Sequence, residues 1–282
     1  MSESSLRDRI ERYYATVPLL FAEAEKFGPL RLFVRKEPGA PYYGGPHHAR
    51  PASTSSVATA TDIALVRARQ RELGVPEAFE WLAEVTAALR GRIEEAGLPV
   101  AKRPLMVLDP HHPLPVQPLP GGVTIRALDA DDPALPAVLA LPGLAFAAEG
   151  TSVGAAGQAE LAAAAERLAA DGTPETIRPS LRAGHKTLVA AFSPDGTVLA
   201  AGHYHPAGGT TEIGGIGTLP AARRQGLGAA VMAALATHAR EHGVRTVFLA
   251  YAEEAVARIY ARLGFRAAGT TLLIADQPAR GQ

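Results

Sequence analysis

The sequence predicts an α/β (α+β) chain made of two mixed-sheet domains, and three observations predict it. Helical and strand patterns alternate through the last third of the chain. A proline-rich break, PHHPLPVQPLPGG at 110–122, falls near the middle. A weak internal repeat relates the two sides of that break. Alternation of this kind builds a sheet covered by helices, and five prolines with two closing glycines prevent regular structure. The expected organisation is an N-terminal domain over 1–109, a linker over 110–122 and a C-terminal domain over 123–282.

Before the break, SLRDRIERYY reads as a helix, PLRLFVRKE as a strand, ATDIALVRARQRELG as a helix and LRGRIEEAG as another. The stretch PGAPYYGGPHHARPASTSSVAT between them reads as loop, which leaves His47 and His48 exposed. His111 and His112, in the linker, are also expected at the surface. After the break, VTIRAL reads as a strand, followed by helical patterns over 133–148 and 158–170. TLVAAF and VLAAGHYH form a hairpin pattern about Pro194-Asp195-Gly196, and TTEIGGIGTL follows the turn residues Pro206 to Gly209. Helix 226–242, strand VRTVFLAY, helix EEAVARIYARLG and strand RAAGTTLLIA complete the chain.

The repeat has an offset of 167 residues at Gly97 and Gly264, each of which ends a helix and leads into a strand. At that offset PLMVLD falls on TLLIAD and Trp81 on Phe248, while RELGV at 71–75 matches REHGV at 240–244 two residues out of register. The halves are therefore expected to share one architecture.

Composition excludes several classes. Lys+Arg and Asp+Glu both total 28 over 282 residues, so no broad field draws the chain to nucleic acid or an acidic membrane, and any anion site must be local. There is no cysteine, which removes disulfides, thiolate metal sites and cysteine nucleophiles. The polar start MSESSLRDRIERYY has no signal-peptide core and no later apolar run spans a bilayer. The cytoplasm is the expected location.

The stretch LPAARRQGLGAAVM at 219–232 sets two arginines ahead of a Gly-x-Gly step that opens an alanine-rich helix. A helix start carries unpaired N–H groups and partial positive charge, a glycine lining lets a phosphate reach the backbone, and arginine adds charge-assisted bonds. The segment suits a pyrophosphate. It is not a Walker loop, since Gly-Lys-Ser/Thr is absent. Nor is it a dinucleotide fingerprint, since Pro220 to Gln225 intervene after the strand and Val231 takes the third-glycine position.

Arg223-x-x-Gly226-x-Gly228, preceded by TEIGGIGTLP and followed by ARIYARLGF, resembles the coenzyme A site of the GNAT superfamily of N-acetyltransferases, over roughly 123–276. The N-terminal half is similar to tandem GNAT-like proteins whose first half is degenerate. The resemblance implies that Arg223, Arg224, Gln225, Gly226, Leu227, Gly228 and Ala229 cradle the pyrophosphate of acetyl-CoA, with the two arginines as counter-charge. It also implies a bulged fourth strand that parts from the fifth, for which Gly214, Gly215 and Gly217 are suited. Ile216, Gly217 and Thr218 then offer backbone groups to the pantetheine and the thioester oxygen. Tyr260 is the implied acid, a phenol of pKa about 10 protonating a thiolate whose acid is near 8.5. Glu212 is the implied base; His203 and His205, on one face of the preceding strand, are alternatives. No metal site is expected.

Glu253 stands where GNAT sequences often carry Asn. In the N-terminal half the repeat sets Thr54 to Thr59 against Arg223 to Gly228 and Ile93 against Tyr260, so that half lacks arginine pair, glycine step and phenol. It is expected to bind no coenzyme A, to support the catalytic half and to form one wall of the acceptor cleft. The resemblance implies direct transfer of an acetyl group to a small-molecule or peptide amine, by a monomer or homodimer with no nucleic-acid or membrane partner. The competing reading is a non-catalytic acyl-CoA-binding regulatory protein.

Overall fold

A computed structural model describes residues 3–36, 48–52, 57–148, 150–252 and 254–273. In chain order the elements are α1 (Glu3–Thr16), β1 (Ala22–Phe27), β2 (Leu30–Arg35), β3 (Ala49–Pro51), α2 (Ala60–Glu72), β4 (Glu80–Leu82), α3 (Ala87–Glu95) and β5 (Ala101–Leu108). There follow β6 (Thr124–Ala127), α4 (Leu135–Ala147), α5 (Gln158–Ala170), α6 (Thr173–Arg182), β7 (Thr187–Phe192), β8 (Val198–Tyr204) and β9 (Thr210–Thr218). The last are α7 (Leu227–Glu241), β10 (Thr246–Ala250), α8 (Glu254–Arg262) and β11 (Phe265–Leu273). Among the described residues no helix is long and apolar enough to cross a membrane. The chain divides into two compact units: residues 1–106, 250–252 and 267–282 form the first, and 107–249 with 253–266 the second.

In the first unit, Ile10, Tyr13, Tyr14 and Val17 recur at helical spacing along and just past α1, and all four are buried. The hairpin β1–β2 turns at Gly28, whose φ of 55° is left-handed. β2 pairs antiparallel with β3, and β3 meets the approach to β4 through a parallel bridge, Ala49 to Phe79. Leu30, Leu32, Ile63, Val66, Phe79, Trp81, Leu89, Ile93 and Leu272 make one core. Leu272 arrives from the far end of the chain, because β11 lies between β4 and β5 and pairs antiparallel with β4, Leu272 opposite Trp81. Truncating a buried ring such as Trp81 to alanine costs about 3–5 kcal/mol.

In the second unit the strand order is β10-β9-β8-β7-β6, antiparallel except for the parallel pair β9–β10. α7 buries Leu227, Val231 and Leu235 along one stripe. Two glycines allow close packing on β8 and β9. A Cβ on Gly202 would lie 2.8 Å from Leu235 of α7, and one on Gly217 would lie 2.9 Å from both Leu141 and Ala145 of α4. One face of the sheet is thus held by α7 and the other by α4.

The element order of the two halves agrees: three antiparallel strands, then helix, strand, helix, strand. The repeated residues have a shared physical cause. Gly74 and Gly243, at φ 65° and 81°, end α2 and α7 in the left-handed conformation. The following N–H closes the turn at 3.0 Å in both, Val75 to Gln70 and Val244 to Ala239. Trp81 and Phe248 are both buried in strands.

Three expectations need correction. The stretch 38–59 is not all loop, since Ala49–Pro51 is β3. His48 is buried, its ring 5.3 Å from Phe33 and its Nε2 3.9 Å from a Glu80 carboxylate oxygen, because it stands just before β3 with its carbonyl accepting from Phe33 N–H of β2. His47 lies outside the described residues. β1, β4 and α6 form where no element was anticipated.

Candidate active site

The site starts with a strand that loses a partner. β9 and β10 pair at Thr210–Thr246, Thr211–Val247 and Glu212–Phe248, and the register stops there although β9 continues to Thr218. On its other edge β9 slips against β8: His203 faces Gly214, but Ala201 faces Gly217, so β9 carries one residue more than β8 between the two pairs. Gly215, at φ 62°, absorbs the extra residue. The bulge therefore lies just past the last β9–β10 pair. Of the glycines expected to make it, Gly215 supplies the left-handed turn, while Gly217 admits α4.

β9 leads through a short 3-10 turn, Pro220–Ala222, into the arginine-glycine loop. Arg224 (φ 68°) is the single non-glycine residue with positive φ among those described, and Gly226 (φ 78°) caps α7 without any side-chain hydrogen bond. The first backbone bond of α7 runs from Ala230 N–H to Gly226 C=O at 3.0 Å. The N–H groups of Leu227, Gly228 and Ala229 therefore precede the helix ladder, as the first turn of any α-helix requires. Left-handed turns two residues apart beside such donors form a concavity suited to an anion. A Cβ on Gly228 would lie 3.2 Å from Thr218 Oγ1, a tight approach where strand and helix meet. Arg224, Gln225 and Gly226 are exposed.

The two arginines part company. The Arg223 guanidinium is buried and donates to the carbonyls of Ala145 at 2.6 Å, Ala148 at 3.0 Å and Ser152 at 3.1 Å. Contrary to the expectation of paired counter-charges, its side chain faces the end of α4. The unpaired carbonyls and partial negative charge of a helix C-terminus draw it there. Arg224 keeps an exposed side chain at the loop.

Tyr260, on α8, is half-buried with its ring 6.1 Å from that of Phe265. Burial pushes its hydroxyl up to about 12, which keeps it protonated at neutral pH. Glu212 is buried at the last β9–β10 pair. Tyr204, whose hydroxyl lies 2.8 Å from His238 Nδ1 of α7, separates His203 from His205, so both histidines point to the α4 face. The β8–β9 register ends at the Tyr204–Ile213 pair, and Glu212 is the next residue of β9. Burial first, then the nearby charges of Lys186 and His205, hold His203 well below the usual histidine value. The fold thus brings His203 and His205 together beside the bulge, with Glu212 buried farther back on β9. Glu253 lies outside the described residues. Among those described, no group of three side chains could hold a metal ion. Lys186, which contacts His205, carries no sequence signal beyond its place one residue before a strand.

Residues 159–265 match the model of the acetyltransferase (GNAT) family. The whole chain is similar in fold to a GCN5-related N-acetyltransferase from Kribbella flavida, 21% identical over 98% of this chain and 97% of that one, with a TM-score of 0.71. A GCN5-related N-acetyltransferase-like protein from Streptococcus suis is 12% identical over 97% and 99%, with a TM-score of 0.56. A tandem GNAT protein from the clavulanic acid biosynthesis pathway is 16% identical over 89% and 79%, with a TM-score of 0.54. No curated protein matches the chain.

Proposed function

We propose that the protein is an acetyl-CoA-dependent N-acetyltransferase acting on a primary amine by direct attack, with one cofactor site, in the second unit. The observation that carries this reading is the loss of β9–β10 pairing beyond Glu212–Phe248, beside a helix start that no side chain caps. An extended pantetheine arm pairs with the strand edge by strand addition. The pyrophosphate takes the N–H groups of Gln225 to Ala229 with Arg224 as counter-charge, while Arg223 contributes by fixing α4 against the loop. Ile216 to Thr218 hold the arm, and an N–H of this stretch meets the thioester oxygen as it gains charge.

The acceptor nitrogen must be uncharged to attack. Glu212, or a neutral histidine of β8, takes its proton on the α4 face, and Tyr260 donates to the departing thiolate. A phenol held near 12 is a weak acid in the free protein; the growing negative charge on sulfur beside it is what draws the proton across. The test is thiol release from acetyl-CoA over a panel of amines, paired with coenzyme A binding by calorimetry. Thiol release that depends on the amine supports the enzyme. Binding with no release for any amine points instead to the acyl-CoA-binding regulatory protein.

A further inference from the structure

Lys186 stands immediately before β7 and is buried. Its Nζ lies 3.4 Å from His205 Nε2, and His205 Nδ1 lies 2.9 Å from the carbonyl oxygen of His185. A carbonyl only accepts, so Nδ1 carries the hydrogen and Nε2 of the neutral ring is left to accept from the lysine. The His205 ring meets that of His203 edge-on at 5.3 Å between centroids. His203 in turn lies against the bulge: a Cβ on Gly215 would be 2.6 Å from its Cε1 and Nδ1. One polar ladder therefore runs from a buried amine to the place where β9 leaves its ladder.

The other charged groups near it are few. α4 (LPAVLALPGLAFA), β7 (TLVAAF) and β10 (TVFLA) carry none, and β9 carries Glu212 alone. On α6, Arg178 and Arg182 bond to Asp131, and Glu175 bonds to Arg178.

We propose that Lys186 is a positioning residue for the transfer reaction: acting through His205 and by its charge, it keeps the His203 imidazole neutral against the bulge, ready to take the proton of the acceptor's ammonium. The inference rests on the N-acetyltransferase reading and adds to it the identity of the base and of the residue that prepares it. The proton passes from the acceptor nitrogen to a ring nitrogen of His203, the freed lone pair attacks the thioester carbon, and as the C–N bond forms the C–S bond breaks and the thiolate leaves with a proton from Tyr260. Burial pulls Lys186 down to about 8, so it is mostly charged at neutral pH and its repulsion adds to the burial of His203. Removing the charge lets His203 protonate at higher pH, which takes the base away in mildly acidic solution.

Nitrogen-detected NMR titration of the histidine rings in the ligand-free full chain tests this, comparing wild type with Lys186→Met and Lys186→Arg. The His203 midpoint should rise by about one pH unit in Lys186→Met and stay near wild type in Lys186→Arg, as expected when a like charge is removed or kept. The acid limb of kcat/KM should move up by the same amount. If Lys186→Met fails to fold, the wild type still decides: the His203 ring signals should step as Lys186 loses its proton near pH 8. An unchanged midpoint in Lys186→Met, or no step in the wild type, overturns the inference whatever the activity. Coupled histidines in a protein that releases no thiol with any amine would overturn the transfer reading and with it the role of His203 as base.

Discussion

The helix that follows the third strand of each antiparallel set starts in two different ways. α2 is closed by its own side chains. Thr59 Oγ1 accepts from Asp62 N–H at 3.2 Å, and the Asp62 carboxylate accepts from Thr59 N–H at 2.8 Å and from its hydroxyl at 2.7 Å. This capping box sets a carboxylate on the positive end of the helix. α7 starts at Gly226 with no such group, and its first N–H donors are left for something else. One half satisfies its helix start internally, while the other leaves the same feature open to an anion. The difference gives a physical reason to expect the proposed cofactor site in the second unit, beyond the lack of an arginine pair and a glycine step at Thr54 to Thr59.

The most severe way to break the contrast is to give α7 what α2 has. Gly226→Glu sets a carboxylate at the open helix start, and affinity for coenzyme A should fall roughly 100-fold, on the order of two charge-assisted hydrogen bonds. Gly226→Ala, with the same left-handed strain and no charge, should lose much less; calorimetry on both variants separates charge from strain.

Next in size is the acid. Tyr260→Phe should lower kcat by about 10²–10⁴ while coenzyme A binds as in the wild type, the range for a lost general acid. A variant that loses binding and turnover together would place the tyrosine in the packing of α8 and not in the chemistry.

A third variant probes the buried charges of the first unit. Burial, partly opposed by Arg50 and Arg103, pushes the Glu80 carboxyl up to about 6. The folded chain holds this proton more tightly than the unfolded chain, so the contribution to stability is complete below the ordinary value of 4.5 and is lost as pH rises through about 6. Glu80→Gln should match wild type near pH 4 and exceed it at pH 7 by up to about 2 kcal/mol in urea unfolding.

The smallest effect belongs to the α2 cap. Thr59→Ala should cost about 1 kcal/mol of stability and leave coenzyme A affinity unchanged. A change in affinity would mean that α2 takes part in binding.

Much of this was legible in the sequence because local causes act there. α1 and α7 declare themselves by apolar residues at helical spacing, and the hairpin of β7 and β8 by Pro194-Asp195-Gly196. The glycines of β9 mark a strand that must bend. The elements that escaped notice have weak local signals. β1, AEAEKF, exposes most of its charged residues and alternates only two alanines with them, β3 and β4 are three residues each, and α6 carries prolines at 174 and 179. The site was legible where backbone conformation decides it, at Gly215 and Gly226. It was hidden where a distant partner decides it. Nothing near Arg223 in sequence points to the end of α4, and nothing near Lys186 points to His205.

The most direct measurement is a calorimetric titration of coenzyme A into the full-length chain. An account in which one helix start is open and the other is closed by Asp62 predicts saturable binding with one site per chain. Two sites per chain, or no heat of binding at all, would contradict it.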